Sequence, residues 1–414
     1  MQTSLSPEFK GTRDGEAAEA ILRKCVHCGF CNATCPTYQL LGDELDGPRG
    51  RIYLMKQVLE GAAATRKTQL HLDRCLTCRN CETTCPSGVM YGQLVDIGRK
   101  IVEERVRRPL PERLLRGALK HGLTSPLFGP AMKLGQRLRP LLPAALKNKV
   151  PQRPGARAQQ WPQREHKRKA LMLLGCVQPA MMPNINSATA RVLDAAGIQT
   201  LIADGAGCCG AMRAHMGDSE GGLADMRRNI DAWWPLVDGL SYHGKVEAIV
   251  MNASGCGVTV KEYGHALAHD VQYAKKAKRI SELTKDISEL LPDLVTALAP
   301  KMGKAGARKL AFHPPCSLQH GQQLHGGVEA QLGALGFKVQ VATSENHLCC
   351  GSAGTYSVLQ PELAYALRDR KLATLTPLDS EVIVSANIGC IQHLQSGTAT
   401  PVRHWVEVLD EALR

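Results

Sequence analysis

Aromatic residues make up only 4% of the 414-residue chain, and no apolar run approaches the roughly 18 residues needed to cross a bilayer. The second absence excludes a membrane-spanning protein. The first, with no recognition motif in sight, argues against a nucleic-acid binder in spite of a net charge of +13. No Ser-His-Asp or paired-carboxylate arrangement presents itself either. Met1 to Ala20 is polar and acidic, unlike an export signal. The sixteen cysteines are therefore read as reduced thiols at a cytoplasmic address rather than as disulfides. For the same reason Asn32-Ala-Thr34 and Asn252-Ala-Ser254 are glycosylation sequons by spelling alone. Aspartate is missing from Gly98 to Lys169, where 19 Lys and Arg face four Glu, a local +15 that leaves the rest of the chain at −2. Such an excess suits an anionic membrane surface or an acidic partner.

What the chain has in abundance is cysteine at regular spacing. Cys25, Cys28, Cys31 and Cys35-Pro36 recur fifty residues on as Cys75, Cys78, Cys81 and Cys85-Pro86. Both runs read C-x2-C-x2-C-x3-C-P, the bacterial ferredoxin spacing, in which the fourth thiolate ligates the other of two [4Fe–4S] clusters. The expected ligand sets are Cys25, Cys28, Cys31 and Cys85 for the first cluster and Cys75, Cys78, Cys81 and Cys35 for the second. Zinc would use two C-x2-C pairs and leave half of these thiols idle. A helix opening at Gly47-Pro48-Arg49 is expected between the runs, with Arg49 and Arg51 either donating to cluster sulfurs or facing solvent or a partner. Another is expected over Tyr91 to Val106.

Residues 109–168 form a basic, Pro- and Arg-rich stretch whose leucines cluster between cations, in the manner either of surface-lying helices or of a solvated linker that grips its own domains. From Lys169 a strand–helix alternation appears twice. In the first copy, strand Ala170–Leu174 leads to Cys176, strand Gln199–Ala203 to Cys208-Cys209-Gly210, and strand Ala248–Met251 to Cys256. In the second, strand Leu310–His313 leads to Cys316, strand Phe337–Val341 to Cys349-Cys350-Gly351, and strand Val382–Ser385 to Cys390. Even the tails are expected to match, Arg279-Ile-Ser-Glu-Leu with Arg403-His-Trp-Val-Glu-Val. Each copy is expected to be a small parallel-sheet unit with its thiols on loops beyond the strand ends, enough for one metal centre per module.

Two local patterns are set aside. Gly205-Ala-Gly207-Cys-Cys-Gly210 satisfies a dinucleotide fingerprint, but its duplicate, Glu345-Asn-His-Leu-Cys-Cys-Gly351, lacks the first two glycines. His313 and His347 crowd the second set of cysteines. The first copy has Leu173 and Ala206 in their places, so no shared metal role is expected and both are read as core or surface histidines.

The duplicated units resemble the cysteine-rich CCG domains of heterodisulfide reductase subunits and their relatives, which carry C, then CCG, then C-x-x-C and hold a non-cubane cluster on five thiols. Here Ala253 and Asn387 replace the first cysteine of the terminal pair, leaving a four-thiol centre, a cubane or zinc. Two ferredoxin runs followed by two CCG modules resemble the iron–sulfur subunits of bacterial glycolate oxidase. Thr37-Tyr-Gln-Leu-Leu-Gly-Asp-Glu-Leu-Asp-Gly-Pro-Arg-Gly-Arg51 and Asn229-Ile-Asp-Ala-Trp-Trp-Pro235 carry that likeness further. The resemblance implies FAD-containing partner subunits that oxidise glycolate to glyoxylate, with this chain passing electrons to a quinone or other acceptor at the cytoplasmic face of the membrane. Iron–sulfur subunits of the anaerobic glycerol-3-phosphate dehydrogenase type share the architecture. A quinone or disulfide reductase acting at its own CCG centres is the other alternative.

The expected fold class is thus α+β / α/β. A mostly helical two-cluster ferredoxin domain (1–108) and a basic amphipathic linker (109–168) precede two duplicated parallel α/β CCG modules (169–300 and 301–414).

Overall fold

The computed structural model describes residues 1–241, 244–303 and 308–413. Its first third is helical. The helix Arg13–Lys24 starts at Thr12, whose hydroxyl accepts from the Gly15 N–H, and carries Asp14 and Glu16 in its first turn and Arg23 and Lys24 in its last. Those charges oppose the helix dipole at both ends. The helix expected to open at Gly47-Pro48-Arg49 is Pro48–Leu59, with proline in its first turn, and the one expected over Tyr91 to Val106 is Tyr91–Arg105. A fourth, Arg66–Asp73, was not foreseen: at eight residues it is too short to display a clear period. Leu22, Ile52, Met55, Leu72, Leu94 and Val95 join these helices in one core. Both cysteine runs lie at its edge, on loops that lead into the short helices Phe30–Ala33 and Asn80–Thr84.

Two four-stranded sheets follow. In the first, β1 (Arg168–Met172), β2 (Ile198–Leu201), β3 (Ala248–Met251) and β4 (Thr284–Asp286) lie in the order β2-β1-β3-β4, all pairs parallel. In the second, β5 (Lys309–Phe312), β6 (Lys338–Val341), β7 (Val382–Ser385) and β8 (Val402–His404) repeat it as β6-β5-β7-β8. The fully apolar β3 and near-apolar β7 are buried along their whole length, as strands covered on both faces must be. Successive strands deliver the cysteines to the carboxyl ends of the sheets.

One expected correspondence is corrected. Arg279-Ile-Ser-Glu-Leu283 belongs to the helix Ala274–Leu283, and the true counterpart of the C-terminal tail is Thr284 to Glu289. Asp286 with Glu289, and His404 with Glu407, each form a capping box at the start of the closing helix. Asp and His perform the same capping job without resembling one another, which hid the match.

The first module keeps an apolar core of its own around Trp233 and Tyr263, and the two modules also share one. A single apolar cluster joins Ile185, Val192, Leu291 and Leu294 of the first to Leu332, Trp405 and Leu409 of the second. Between the helical domain and the sheets, the basic stretch forms the helices Leu110–Gly122 and Phe128–Leu138. It grips all three neighbours: Arg116 pairs with Asp73 (2.9 Å), Lys120 with Asp218 (3.1 Å), Lys149 donates to Ser357 (3.1 Å), and Arg157 pairs with Asp410 (3.0 Å). Among the described residues no helix is long and apolar enough to cross a membrane.

Because Leu291 lies in the core common to both modules, Leu291→Ala is expected to cost about 2–5 kcal/mol. Urea unfolding followed by tryptophan fluorescence is expected to show one transition shifted as a whole, not a destabilised first module beside an unaltered second.

Candidate metal centres

The two ferredoxin-type loops share one backbone design. His27 and Gly29 flank Cys28 with φ of 59° and 90°, and Thr77 and Arg79 flank Cys78 with φ of 52° and 61°. Left-handed residues either side of a cysteine curl the chain into a concave loop with its amides turned inward, the form found around phosphates and iron–sulfur centres. Three of the four are not glycine, so the loop holds strain of the kind that functional sites retain.

The thiols fall into two groups. Burial raises the Cys31 thiol to about 12, and the neighbouring thiols of Cys25, Cys85 and Cys28 add to the shift. Cys81 is raised by burial and by Cys78, Cys75 and Cys35. Each run therefore places its fourth cysteine with the first three of the other. Such mutual elevation is intolerable for bare thiolates and is relieved by a polycation, so these residues fit an iron–sulfur centre. Cys25, Cys28, Cys31 and Cys85 line an open cleft together with Phe30, Arg49 and Tyr91. Cys28 is exposed and ringed by Val26 (68% exposed) and Phe30 (62%). The second group is deeper: Cys35, Cys75 and Cys81 are buried, and Cys75 accepts from the Thr77 N–H (3.3 Å) and from Tyr91 Oη (3.7 Å).

Arg51 settles into that deeper group. It is 1% exposed, donates to the His71 carbonyl (2.6 Å) and Thr37 Oγ1 (3.1 Å), pairs with Asp46 (3.5 Å), and reaches Cys35 Sγ at 4.0 Å. His71 (3.0 Å) and Arg74 (2.7 Å) complete a buried cage around Asp46. Burial works against the Arg51 cation, but the surrounding acidic groups of Tyr91, Cys75, Cys35 and Asp46 outweigh it and raise its pKa. Arg49 instead stays partly exposed against Glu44 at 2.5 Å. Nothing in the sequence distinguished the two arginines except their positions in the helix. Asp46 and His71 were missed, since no spacing links them.

In each module the four thiols form a row. The first brings together Cys176, Cys208, Cys209 and Cys256. The Cys208 thiol is pulled down to about 3, chiefly by hydrogen bonds from Cys176 and Cys209, while both of those donors are pushed up. In the second row Cys316 and Cys349 lie 3.7 Å apart, and the thiols of Cys350 and Cys390 adjoin. Gly210 (φ 96°) and Gly351 (φ 87°) turn the chain after each doublet, and a Cβ on Gly351 would lie 2.4 Å from the Ala364 carbonyl. Ala253 is buried, and Asn387 donates to Cys390 Sγ (3.7 Å), so the positions without cysteine close the rows instead of extending them.

The second row abuts the ferredoxin loops. The Cys78 thiol is raised by burial and then by Cys316 and Cys35. Leu76, Cys349, Tyr356, Ala364 and Leu367 pack as one apolar seam, with Cys78 and Cys316 against it. Asn80 Nδ2 donates to the His347 carbonyl (3.3 Å), and Tyr356 Oη donates to the Arg74 carbonyl (3.0 Å). The glycine pattern at Gly205 opens only the four-residue helix Ala211–Ala214, and Gly207 N–H is taken by Asn229 Oδ1 (2.8 Å), so it offers no phosphate cradle.

A helical domain with two exchanged cysteine groups, joined to two cysteine-rich parallel sheets, defines an iron–sulfur protein of the electron-transfer class. The 4Fe-4S dicluster domain profile matches residues 21–89, and that of the cysteine-rich domain matches 170–261 and 310–395. The chain is 54% identical over 414 residues to the glycolate oxidase iron-sulfur subunit of Escherichia coli (strain K12), covering all of this chain and 99% of that one. It is 30% identical to the probable glycolate oxidase iron-sulfur subunit of Bacillus subtilis (strain 168), over 95% and 92% of the two chains. Lactate utilization protein A of Bacillus licheniformis (strain ATCC 14580) is 23% identical over 58% of this chain and 99% of its own. The chain belongs to the family of glycolate oxidase iron–sulfur subunits.

Gly351→Ala is expected to cost about 1–3 kcal/mol through its left-handed backbone alone, and the contact with Ala364 adds to that. Differential scanning calorimetry is expected to register a lower melting temperature, with Gly333→Ala, outside both rows and with nothing within 4 Å of its added Cβ, as the control.

Proposed function

We propose that the chain is the electron-transfer subunit of a glycolate-oxidising complex, working between FAD-containing partner subunits and a quinone or other acceptor. The exchange of fourth cysteines between the two loops carries this reading. Bound [4Fe–4S] clusters, one on Cys25, Cys28, Cys31 and Cys85 and one on Cys75, Cys78, Cys81 and Cys35, supply one-electron transfer. The chain's own residues set the route. Exposed Cys28, with Val26 and Phe30 beside it, suits docking of a flavin-bearing partner. Cys78 brings the other site against Cys316 and Cys349, so the exit lies through the second module. Arg51 places a fixed positive charge next to Cys35, which favours the more reduced state of whatever those thiols hold. Residues 1–108 are then the relay domain, 109–168 its strap, and 169–300 and 301–414 the two CCG modules.

We infer that the strap also meets an anionic membrane surface on the cytoplasmic side. Leu110 and Leu114 lie one turn apart on one helix, Leu134 and Leu138 one turn apart on the next, and Leu127 and Leu141 flank that second helix, all at least 45% exposed. Arg113, Lys133 and Arg137 stand exposed among them. Apolar anchors between cations are what an interfacial helix presents to acidic lipid.

Cys78→Ser is expected to abolish acceptor reduction by the reconstituted complex while its flavin content stays at the wild-type level. Full acceptor reduction by that variant would refute the assignment. Iron and sulfide analysis of the anaerobically purified chain is expected to give about eight of each for the two ferredoxin-type sites. Leu114→Glu with Leu134→Glu is expected to lower co-sedimentation with phosphatidylserine vesicles several-fold, and high salt to weaken it for the wild type.

A further inference from the structure

Both modules present four thiols, but only the second adds an imidazole to them. His313 follows β5 where Leu173 follows β1, and the equivalence is one of backbone position. His313 N–H donates to the Val384 carbonyl (2.8 Å), and Leu173 N–H donates to that of Val250 (3.4 Å). Leu173 buries its side chain in the apolar core of the first module, where nothing polar is wanted. His313 is 1% exposed, and neither of its ring nitrogens has a hydrogen-bond partner among the described residues. A buried polar group in that condition calls for an explanation, and an unpartnered nitrogen lone pair is what a metal ligand offers.

Its donors are already assembled. A ring nitrogen of His313 and the Sγ atoms of Cys350 and Cys390 all lie within 4.8 Å of one another. A tetrahedral zinc ion, with bonds of about 2.3 Å to sulfur and 2.0–2.1 Å to nitrogen, spaces such donors about 3.5–3.8 Å apart. Shifts of about an ångström or less close the site. Among the described residues no three donors of the first module lie so near together. The other close set, Asp43, Asp46 and His71, is explained by Arg51 and Arg74 on the Asp46 carboxylate.

We propose that the second module, and not the first, holds a single zinc-type ion on His313, Cys350 and Cys390. Two thiolates and a neutral imidazole make a soft, charge-compensated donor set for such an ion. Three protein ligands leave one coordination position for a fourth group, as catalytic zinc sites do. The duplicated modules then have different duties: one is a structural copy, and the other is a metal module set against Cys78.

The test uses the full chain, purified anaerobically and read by elemental analysis and zinc K-edge X-ray absorption. The wild type is expected to carry about one zinc with a mixed sulfur and nitrogen shell. His313→Leu, which installs the first module's residue, is expected to lose at least four-fifths of that zinc. Its iron content and the electron paramagnetic resonance signal of the reduced protein should stay unchanged, which separates this proposal from the relay reading. His313→Cys is expected to keep the zinc with an all-sulfur shell. A wild type without zinc, an all-sulfur shell in the wild type, or full retention by His313→Leu would each overturn the proposal. Loss from His313→Cys as well as from His313→Leu would overturn it too, by making the histidine a structural residue.

Discussion

Contact between the Cys78 loop and the second row of cysteines is the constraint on which the architecture depends. Sulfur-bearing loops are poor at holding two domains together, since they offer little apolar surface and much strained backbone. Here Leu76 and Tyr356 do that work, flanking Cys78, Cys316 and Cys349 with an apolar seam that keeps water from the thiols. The strap tightens the arrangement from outside, because Arg116 clamps Asp73 while Lys149 and Arg157 hold the second module. A relay needs its stations close and its spacing constant, and both follow from that packing.

Charge is distributed to serve the same end. The deeper cysteine group is backed by Arg51, itself compensated by Asp46, which in turn is held by His71 and Arg74. A buried cation so enclosed is costly to remove, because the carboxylate it leaves behind has no access to water. The outer group has no comparable cage and opens to the surface at Cys28. The two sites thus differ in solvent access and local field although their sequence motifs are nearly identical.

Duplication supplied two copies of one sheet, and divergence separated their roles. The strand order and capping boxes are retained, with Asp286 replaced by His404 at no loss of function because either side chain accepts from the first turn. The carboxyl ends of the sheets have not been retained. Leu173 against His313 replaces an apolar interior with one that has donor atoms to offer, whereas on the other face of the sheet the amide network around Asn252 gives way to Ala386. The shared core explains why both copies persist: neither sheet buries its inner helices without the other.

Local spacing was enough to locate both ferredoxin-type loops, both sheets and every cysteine brought together in them, because ligand intervals and strand–helix alternation are short-range properties of a chain. The helix at Arg66 was too short to show a period, and the tail alignment failed because capping depends on hydrogen-bond capacity and not on residue likeness. Whether Arg51 faced solvent or sulfur, whether His313 met the cysteines, and which module touched Cys78 depended on contacts between residues tens to hundreds of positions apart. Burial and proximity of that kind arise only when separate elements pack, so they were decided by the tertiary structure.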